Sequence, residues 1–212
     1  MLGIARLVVG LLAFVFAAAG AFAEDIPDTF KGVDRIVALG DVHADIARFT
    51  GVLRQAGLID PANHWSGGQT HLVLCGDMID RGSNSKQVLD LVMALEPEAL
   101  KAGGRVHALL GNHEAMNMLG DLRYVPSDDY AAFRVANSAD TLAKEMQSVL
   151  DELRRSGSAP VDAAAWQRQY LAEHPLGWVE RGLAFLPNGK YGKWLLQHNA
   201  VEKINDVLYL HG

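Results

Sequence analysis

Four short apolar runs, Arg35–Leu39, His71–Cys75, Arg105–Leu110 and Val207–Leu210, each stop on a cluster of glycine and ligand-type residues. The clusters read Gly40-Asp41-Val42-His43, Gly76-Asp77-Met78-Ile79-Asp80-Arg81-Gly82, Gly111-Asn112-His113-Glu114 and His211-Gly212. Runs this short, rich in β-branched and bulky residues, predict buried strands, which puts each cluster on the loop leaving a strand's C-terminal end. Open α/β sheets bind their ligands at that end.

The segments between the runs show helical spacing. Ala44–Ala56 has it through Ile46, Phe49, Val52 and Leu53, and Ser85–Leu100 through Val88, Leu91, Val92 and Leu95, so strand, loop, helix and strand alternate in a βαβ rhythm. Residues 128–157 are again helical in pattern, with a charged amphipathic stretch opening at Ala139-Asp140-Thr141-Leu142 and closed by Gly157 and Pro160. Val161–Asn188 holds Trp166, Tyr170, Trp178 and Phe185 but no ligand cluster, and reads as part of a helical insertion at about 126–190, placed to cap a cleft.

The residue types in the clusters point to metal chemistry. Asp41, His43, Asp77, Asn112 and His211 offer carboxylate oxygen, amide carbonyl and imidazole nitrogen, the donors that hard or borderline divalent cations take, and no thiolate. A carboxylate such as Asp77 can give one oxygen to each of two cations, holding them about 3.5–4 Å apart around a shared water. The glycines allow tight turns and leave room beside the backbone for a phosphate.

The GDxH, GDxxDRG and GNHE series resembles the calcineurin-like metallophosphatase superfamily. The runs Gly111–Val125 and Gly192–Gly212 narrow the resemblance to the bacterial Shewanella-like protein phosphatases, of the serine/threonine phosphoprotein phosphatase type. It covers the chain from about Val33 onward. It implies an α/β fold, a sandwich of two mixed β-sheets flanked by helices, with two divalent metal ions, manganese first and iron or zinc as alternatives. Asp41, His43 and Asp77 would hold one metal, and Asp77, Asn112 and His211 the second. His113 would be the general acid and Asp80 its orienting partner, while Arg81 and Asn112 would bind phosphate oxygens. The implied activity is hydrolysis of phosphoserine, phosphothreonine or phosphotyrosine in a protein or peptide, by direct attack of a hydroxide bridging the two metals. Two departures accompany the resemblance. Ala44 stands where the family has glycine, and the family's last metal histidine and second phosphate-binding arginine would lie beyond Gly212. The second departure predicts that the C-terminal part of the domain is missing. Hydrolysis of a dinucleoside polyphosphate or another phosphodiester is an alternative activity within the superfamily, and an inactive phosphate-binding module is an alternative of another class.

Composition adds bounds. With 212 residues, half of them apolar, the chain has enough material for one domain and its core. A formal net charge of −6 and no visible basic patch argue against a nucleic-acid partner. Cys75 is the only cysteine, so no disulfide can form within the chain, and its place in an apolar run marks it as a small buried hydrophobe. Residues 1–23 read as a signal peptide, with Arg6, an apolar core Leu7–Ala19 and an Ala21-Phe22-Ala23 cleavage site before Glu24. The mature domain, 24–212, is then exported to the periplasm or secreted, free of stable membrane association; an uncleaved N-terminal anchor is the alternative. His64, His71, His107, His174 and His198 lack the glycine-flanked context and read as surface or satisfied core residues. Arg123 is read either as a phosphate contact or as a surface salt bridge to Asp121 or Asp128.

Overall fold

Two three-stranded sheets carry the architecture. The computed structural model describes residues 26–212, so the expected signal peptide lies outside the described residues. The order of elements is β1 (Thr29–Phe30), β2 (Ile36–Leu39), α1 (Ile46–Gln55), β3 (His71–Leu74), α2 (Ser85–Lys101), β4 (Arg105–Ala108) and α3 (Asn112–Met118). A 3-10 turn (Asp129–Phe133) follows, then α4 (Ser138–Arg155), α5 (Ala163–Glu173), α6 (Trp178–Phe185), α7 (Lys190–Leu195), β5 (Val201–Ile204) and β6 (Val207–Leu210).

The sheet β2-β3-β4 is parallel throughout, with Ile36, His71 and Arg105 in register. Parallel neighbours need crossover connections, and α1 and α2 supply them. The other sheet, β1-β5-β6, is mixed: β1 runs parallel to β5, and β5 and β6 form an antiparallel pair. Helix α1 starts where the Asp45 side chain caps the Arg48 amide, and it buries Phe49, Thr50 and Leu53. Val52, grouped by periodicity with that face, is 41 % exposed and lines the cleft beside Asp41 and His43. Helix α2 buries Val88, Leu89, Val92, Leu95 and Ala99 along one stripe. These side chains meet Leu53, Leu58, Leu72, Leu74 and Val106 in the main core, where each fully buried leucine contributes about 1.5–3 kcal/mol.

A smaller core of Val73, Leu109 and Ile204, flanked by Phe30, Ile36, Cys75 and Tyr209, joins the two sheets. Burial pushes the Cys75 thiol upward, with the Asp41 carboxylate adding to the effect, which suits a packing role rather than a nucleophilic one. A polar chain crosses the same interface. His107 Nδ1 donates to Glu202 of β5 at 2.5 Å, and His71 Nδ1 donates to His107 Nε2 at 2.8 Å, the tautomers following from the carboxylate at one end.

Two expectations about the clusters change. Asn112, His113 and Glu114 are not loop residues: Gly111 is extended and caps α3, so all three stand in its first turn. The strand β6 is not buried, since Val207, Leu208 and Leu210 are half exposed or more. It pairs with β5 alone among the described residues, and that leaves its outer edge and most of its side chains in solvent. Among the described residues no helix is long and apolar enough to cross a membrane.

Candidate metal centre

The three site loops are built against one another. The Asp77 carbonyl accepts from the Val42 and His43 amides at 3.0 and 2.9 Å, and the Met78 carbonyl accepts from Ala44 at 2.9 Å. A Cβ on Gly76 would stand 2.6 Å from the Gly111 backbone, and one on Gly111 would run into the Asp77 side chain and amide. These two glycines therefore serve loop-on-loop packing, whereas Gly40 has open space beside its Cα, as a phosphate-accommodating position requires. Glu114 ties the assembly from below. Its buried carboxylate accepts from the amides of Asp77, Met78 and Gly111 at 2.8–2.9 Å. Desolvation pushes its carboxyl upward while those three N–H groups pull it back down.

This packing forces an unusual backbone. His43, Ala44, Asp77, Asp80 and Arg81 all have positive φ. For a non-glycine residue such a conformation costs on the order of 1–3 kcal/mol and persists where the surroundings over-determine it. Ala44, at φ 56, is the position where the resemblance expects glycine, so its Cβ carries that strain.

Two of the expected metal ligands, His43 and His211, stand against the carboxylate of a third, Asp77, and the other two, Asp41 and Asn112, stand against those rings. Asp77 Oδ1 accepts the His113 amide at 3.1 Å, which fixes the group. Its Oδ2 lies 3.3 Å from His211 Nε2, 3.7 Å from His113 Nε2 and 3.9 Å from His43 Nε2. Asp41 sits between two of these rings, 3.4 Å from His43 Nε2 and 3.9 Å from His211 Nδ1. Asn112 Oδ1 is 2.9 Å from His211 Nε2. His211 Nδ1 donates to the Cys75 carbonyl at 2.9 Å and His43 Nδ1 to the Ile79 carbonyl at 3.2 Å. Both imidazoles thus keep a lone pair on Nε2, aimed into the centre, which is how proteins orient metal-binding histidines. Carboxylates, oriented imidazoles and an amide oxygen around Asp77 fit divalent cations. The compact groupings are Asp41–Asp77–His211 and His43–Asp77–His113, with Asp77 common to both. The resemblance implies a different partition, with Asp41 beside His43, but the same shared residue.

Beside this cluster lies an acid–base pair. His113 Nδ1 donates to Asp80 Oδ2 at 2.9 Å, and both residues are fully buried. Arg81 is exposed at the mouth, its Nη2 3.5 Å from His113 Nε2 and its guanidinium 5.6 Å from the centre of the Tyr124 ring. A cleft of about 640 Å3 opens from Asp41, His43 and Arg81 past Arg48, Phe49 and Val52.

Sequence reasoning gave no role to Glu114, Asn117, Tyr124, Asp129 or Arg181. Glu114 and Tyr124 stand inside the runs that carry the resemblance, but Arg181 carries no local signal at all. The remaining histidines behave as expected of structural ones: His198 bonds Trp194 O and Glu96, His174 bonds Tyr170 O, and His64 pairs with Glu98 on the surface. Arg123 is two-thirds exposed and salt-bridged to Asp121 at 2.7 Å, so the surface reading of that residue is what the fold displays.

A carboxylate with three imidazoles around it, and a buried histidine–aspartate pair next to it, is an arrangement able to hold divalent metal ions. The chain belongs to the calcineurin-like phosphoesterase family, whose sequence profile matches residues 34–209. It is similar to Shewanella-like protein phosphatase 2 of Arabidopsis thaliana, 30 % identical over 190 residues, which are 89 % of this chain and 49 % of the relative. It is also similar to Shewanella-like protein phosphatase 1 of Plasmodium berghei (strain Anka), 35 % identical over 106 residues, 50 % of this chain and 29 % of that one. Among solved structures, a cold-active protein-tyrosine phosphatase of a psychrophilic Shewanella superposes with a TM-score of 0.60 at 30 % identity, covering 90 % of this chain and 46 % of that one. The chain therefore spans about half the length of the first of these curated relatives and of that solved structure.

Proposed function

We propose that the protein is a phosphoprotein phosphatase that hydrolyses phosphomonoesters of protein side chains with two divalent cations, manganese being the expected pair. The observation that carries this reading is Asp77 Oδ2 with three imidazole nitrogens within 3.9 Å, set against the buried His113–Asp80 pair. Asp41, His43, Asp77, Asn112 and His211 would hold the cations. Bound there, the cations supply Lewis acidity to the phosphoryl oxygens and to the attacking water.

The chain's own residues do the rest. Arg81, exposed at the cleft mouth, and the Asn112 side chain bind equatorial phosphoryl oxygens as the water oxygen approaches phosphorus in line. The new P–O bond forms as the ester P–O bond breaks. With Nδ1–H committed to Asp80, His113 Nε2 is the nitrogen left to pass a proton to the leaving oxygen, giving the free side-chain hydroxyl and phosphate. The water's proton and the one lost by His113 are exchanged with solvent between turnovers. The phosphorylated partner would lie in the cleft lined by Arg48, Phe49 and Val52. The names of the relatives, two protein phosphatases and a protein-tyrosine phosphatase, support a phosphoprotein substrate. The signal-peptide pattern of residues 1–23 supports export to the periplasm or medium.

The test is turnover of phosphoserine, phosphothreonine and phosphotyrosine peptides with added manganese, beside a dinucleoside polyphosphate. Release of phosphate from a peptide, abolished by chelation, is the expected result. Cleavage of the dinucleotide without action on any peptide would instead establish the diester alternative.

A further inference from the structure

The helical segment sends one charged side chain into the centre. Arg181 of α6 is fully buried, more than 60 residues along the chain from the nearest motif residue before it, and each of its three guanidinium nitrogens has a polar partner. Nε donates to Asp129 Oδ2 at 2.9 Å, Nη1 to Asn117 Oδ1 at 2.6 Å and Nη2 to Asp80 Oδ1 at 3.2 Å. Phe185 packs against the guanidinium, its ring centre 4.8 Å from Cζ.

The consequence lies at Asp80. Its Oδ2 accepts from His113 Nδ1 and, at 2.8 Å, from Asn117 Nδ2, while its Oδ1 takes Arg181. Arg181 therefore fixes the carboxylate by the oxygen that His113 does not use. It acts a second time through Asn117, since a donor on Asn117 Oδ1 sets the amide so that its NH2 faces Asp80. The same NH2 also donates to the His113 carbonyl at 2.9 Å, so Arg181 adds a third restraint to an amide orientation that two acceptors already favour. The network continues away from the centre, where Asp129 Oδ1 accepts the Ser85 amide and the Ser85 hydroxyl donates nothing to Asp80 but accepts the Asp80 amide at 3.2 Å.

We propose that Arg181 is a positioning residue for the His113–Asp80 pair, so that the helical segment takes part in protonating the leaving group. The proposal rests on the phosphatase reading for its kinetic consequence. A phenolate leaves without much help, because its conjugate acid has a pKa of about 10 or below, whereas a serine alkoxide needs the proton. A defect in the pair thus falls on alkyl phosphates.

The experiment compares the full protein with Arg181→Lys, His113→Asn and the double variant, using a phosphoserine peptide and 4-nitrophenyl phosphate with added manganese. Arg181→Lys keeps the buried cation but loses the fork. It is expected to lower kcat on the phosphoserine peptide by about 10-fold or more with little change in KM, and to lower kcat on the aryl phosphate by less than about 3-fold. In the His113→Asn background it should cost nothing further, because the two act as one unit. A second readout needs no turnover: the downfield Nδ1–H proton resonance of His113, identified by its loss in His113→Asn, should move upfield or vanish by exchange in Arg181→Lys. Should Arg181→Lys fail to fold, Asp129→Asn loosens the same guanidinium one bond further out and should shift that resonance in the same direction. Equal losses on both substrates, additivity in the double variant, or an unchanged His113 resonance would overturn the assignment. A wild-type protein inactive on both substrates defeats the phosphatase reading instead, and the resonance then decides the position of Arg181 alone.

Discussion

The stretch from β2 to α3 and the helical segment from Asp129 to Leu195 solve opposite problems. In the first, polar side chains face a cleft and the backbone is bent into positive φ at six non-glycine positions, five of them in the site loops. In the second, no non-glycine residue has positive φ, and the polar groups that matter, Asp129 and Arg181, point inward and are fully buried. The strained stretch holds the reactive groups but cannot hold its own loops by local propensity, since each strained residue costs on the order of 1–3 kcal/mol. The unstrained stretch supplies part of the restraint from outside. Glu114 performs the matching task within the site half, pinning the Asp77 and Gly111 loops with three amide bonds.

The contrast can be broken at its sharpest point first. Asp77→Asn removes a negative charge common to both ligand groups, and turnover should fall by more than the roughly 10–100-fold that outer-shell changes cost at metal sites. Near-normal kcat would mean that Asp77 is not shared. On the helical side the largest loss should be in stability. Arg181→Ala leaves two carboxylates buried without their cation, and urea unfolding should show a loss of about 3–5 kcal/mol. A loss under about 1 kcal/mol would show that water or repacking replaces the guanidinium.

The junction between the sheets offers a pH test. Burial, with His107 and Arg105 nearby, depresses His71 from its ordinary 6.5 to about 4. The unfolded chain then takes up a proton before the folded one does, so the stability tied to neutral His71 is complete above about pH 6.5 and drains away as pH falls toward 4. Replacing His71 by asparagine keeps an N–H donor near the Nδ1 position and should flatten this part of the stability–pH profile. An unchanged slope between pH 6.5 and 4 would assign it to other groups. The smallest effect is expected at Ala44. Glycine there relieves about 1–2 kcal/mol of left-handed strain but gives up a buried methyl worth about 0.8 kcal/mol and some unfolded-state restraint. Thermal unfolding of Ala44→Gly should leave stability within about 1 kcal/mol of wild type.

The strands and the cluster residues were legible because their signals are local. A four-residue apolar run, a glycine and a ligand are neighbours in the chain, and the parallel sheet brings Asp41, Asp77 and Asn112 together by its register. Legibility failed where the determining contact was not local. The strand β5, Val201–Ile204, is marked in sequence only by a short alternation interrupted by Glu202 and Lys203, and β1 has two residues. The exposure of β6 depends on what packs over it rather than on its apolar run. Arg181 sits in a helix whose pattern says nothing about a carboxylate 101 residues earlier in the chain.

Metal stoichiometry is the most direct test of a centre organised around Asp77. Purified protein equilibrated with manganese and freed of excess metal should carry two ions per chain by mass spectrometry, and Asp77→Asn should carry fewer while keeping its circular dichroism spectrum. Two ions retained by Asp77→Asn, or none bound by the wild-type protein, would contradict a centre organised around a shared Asp77.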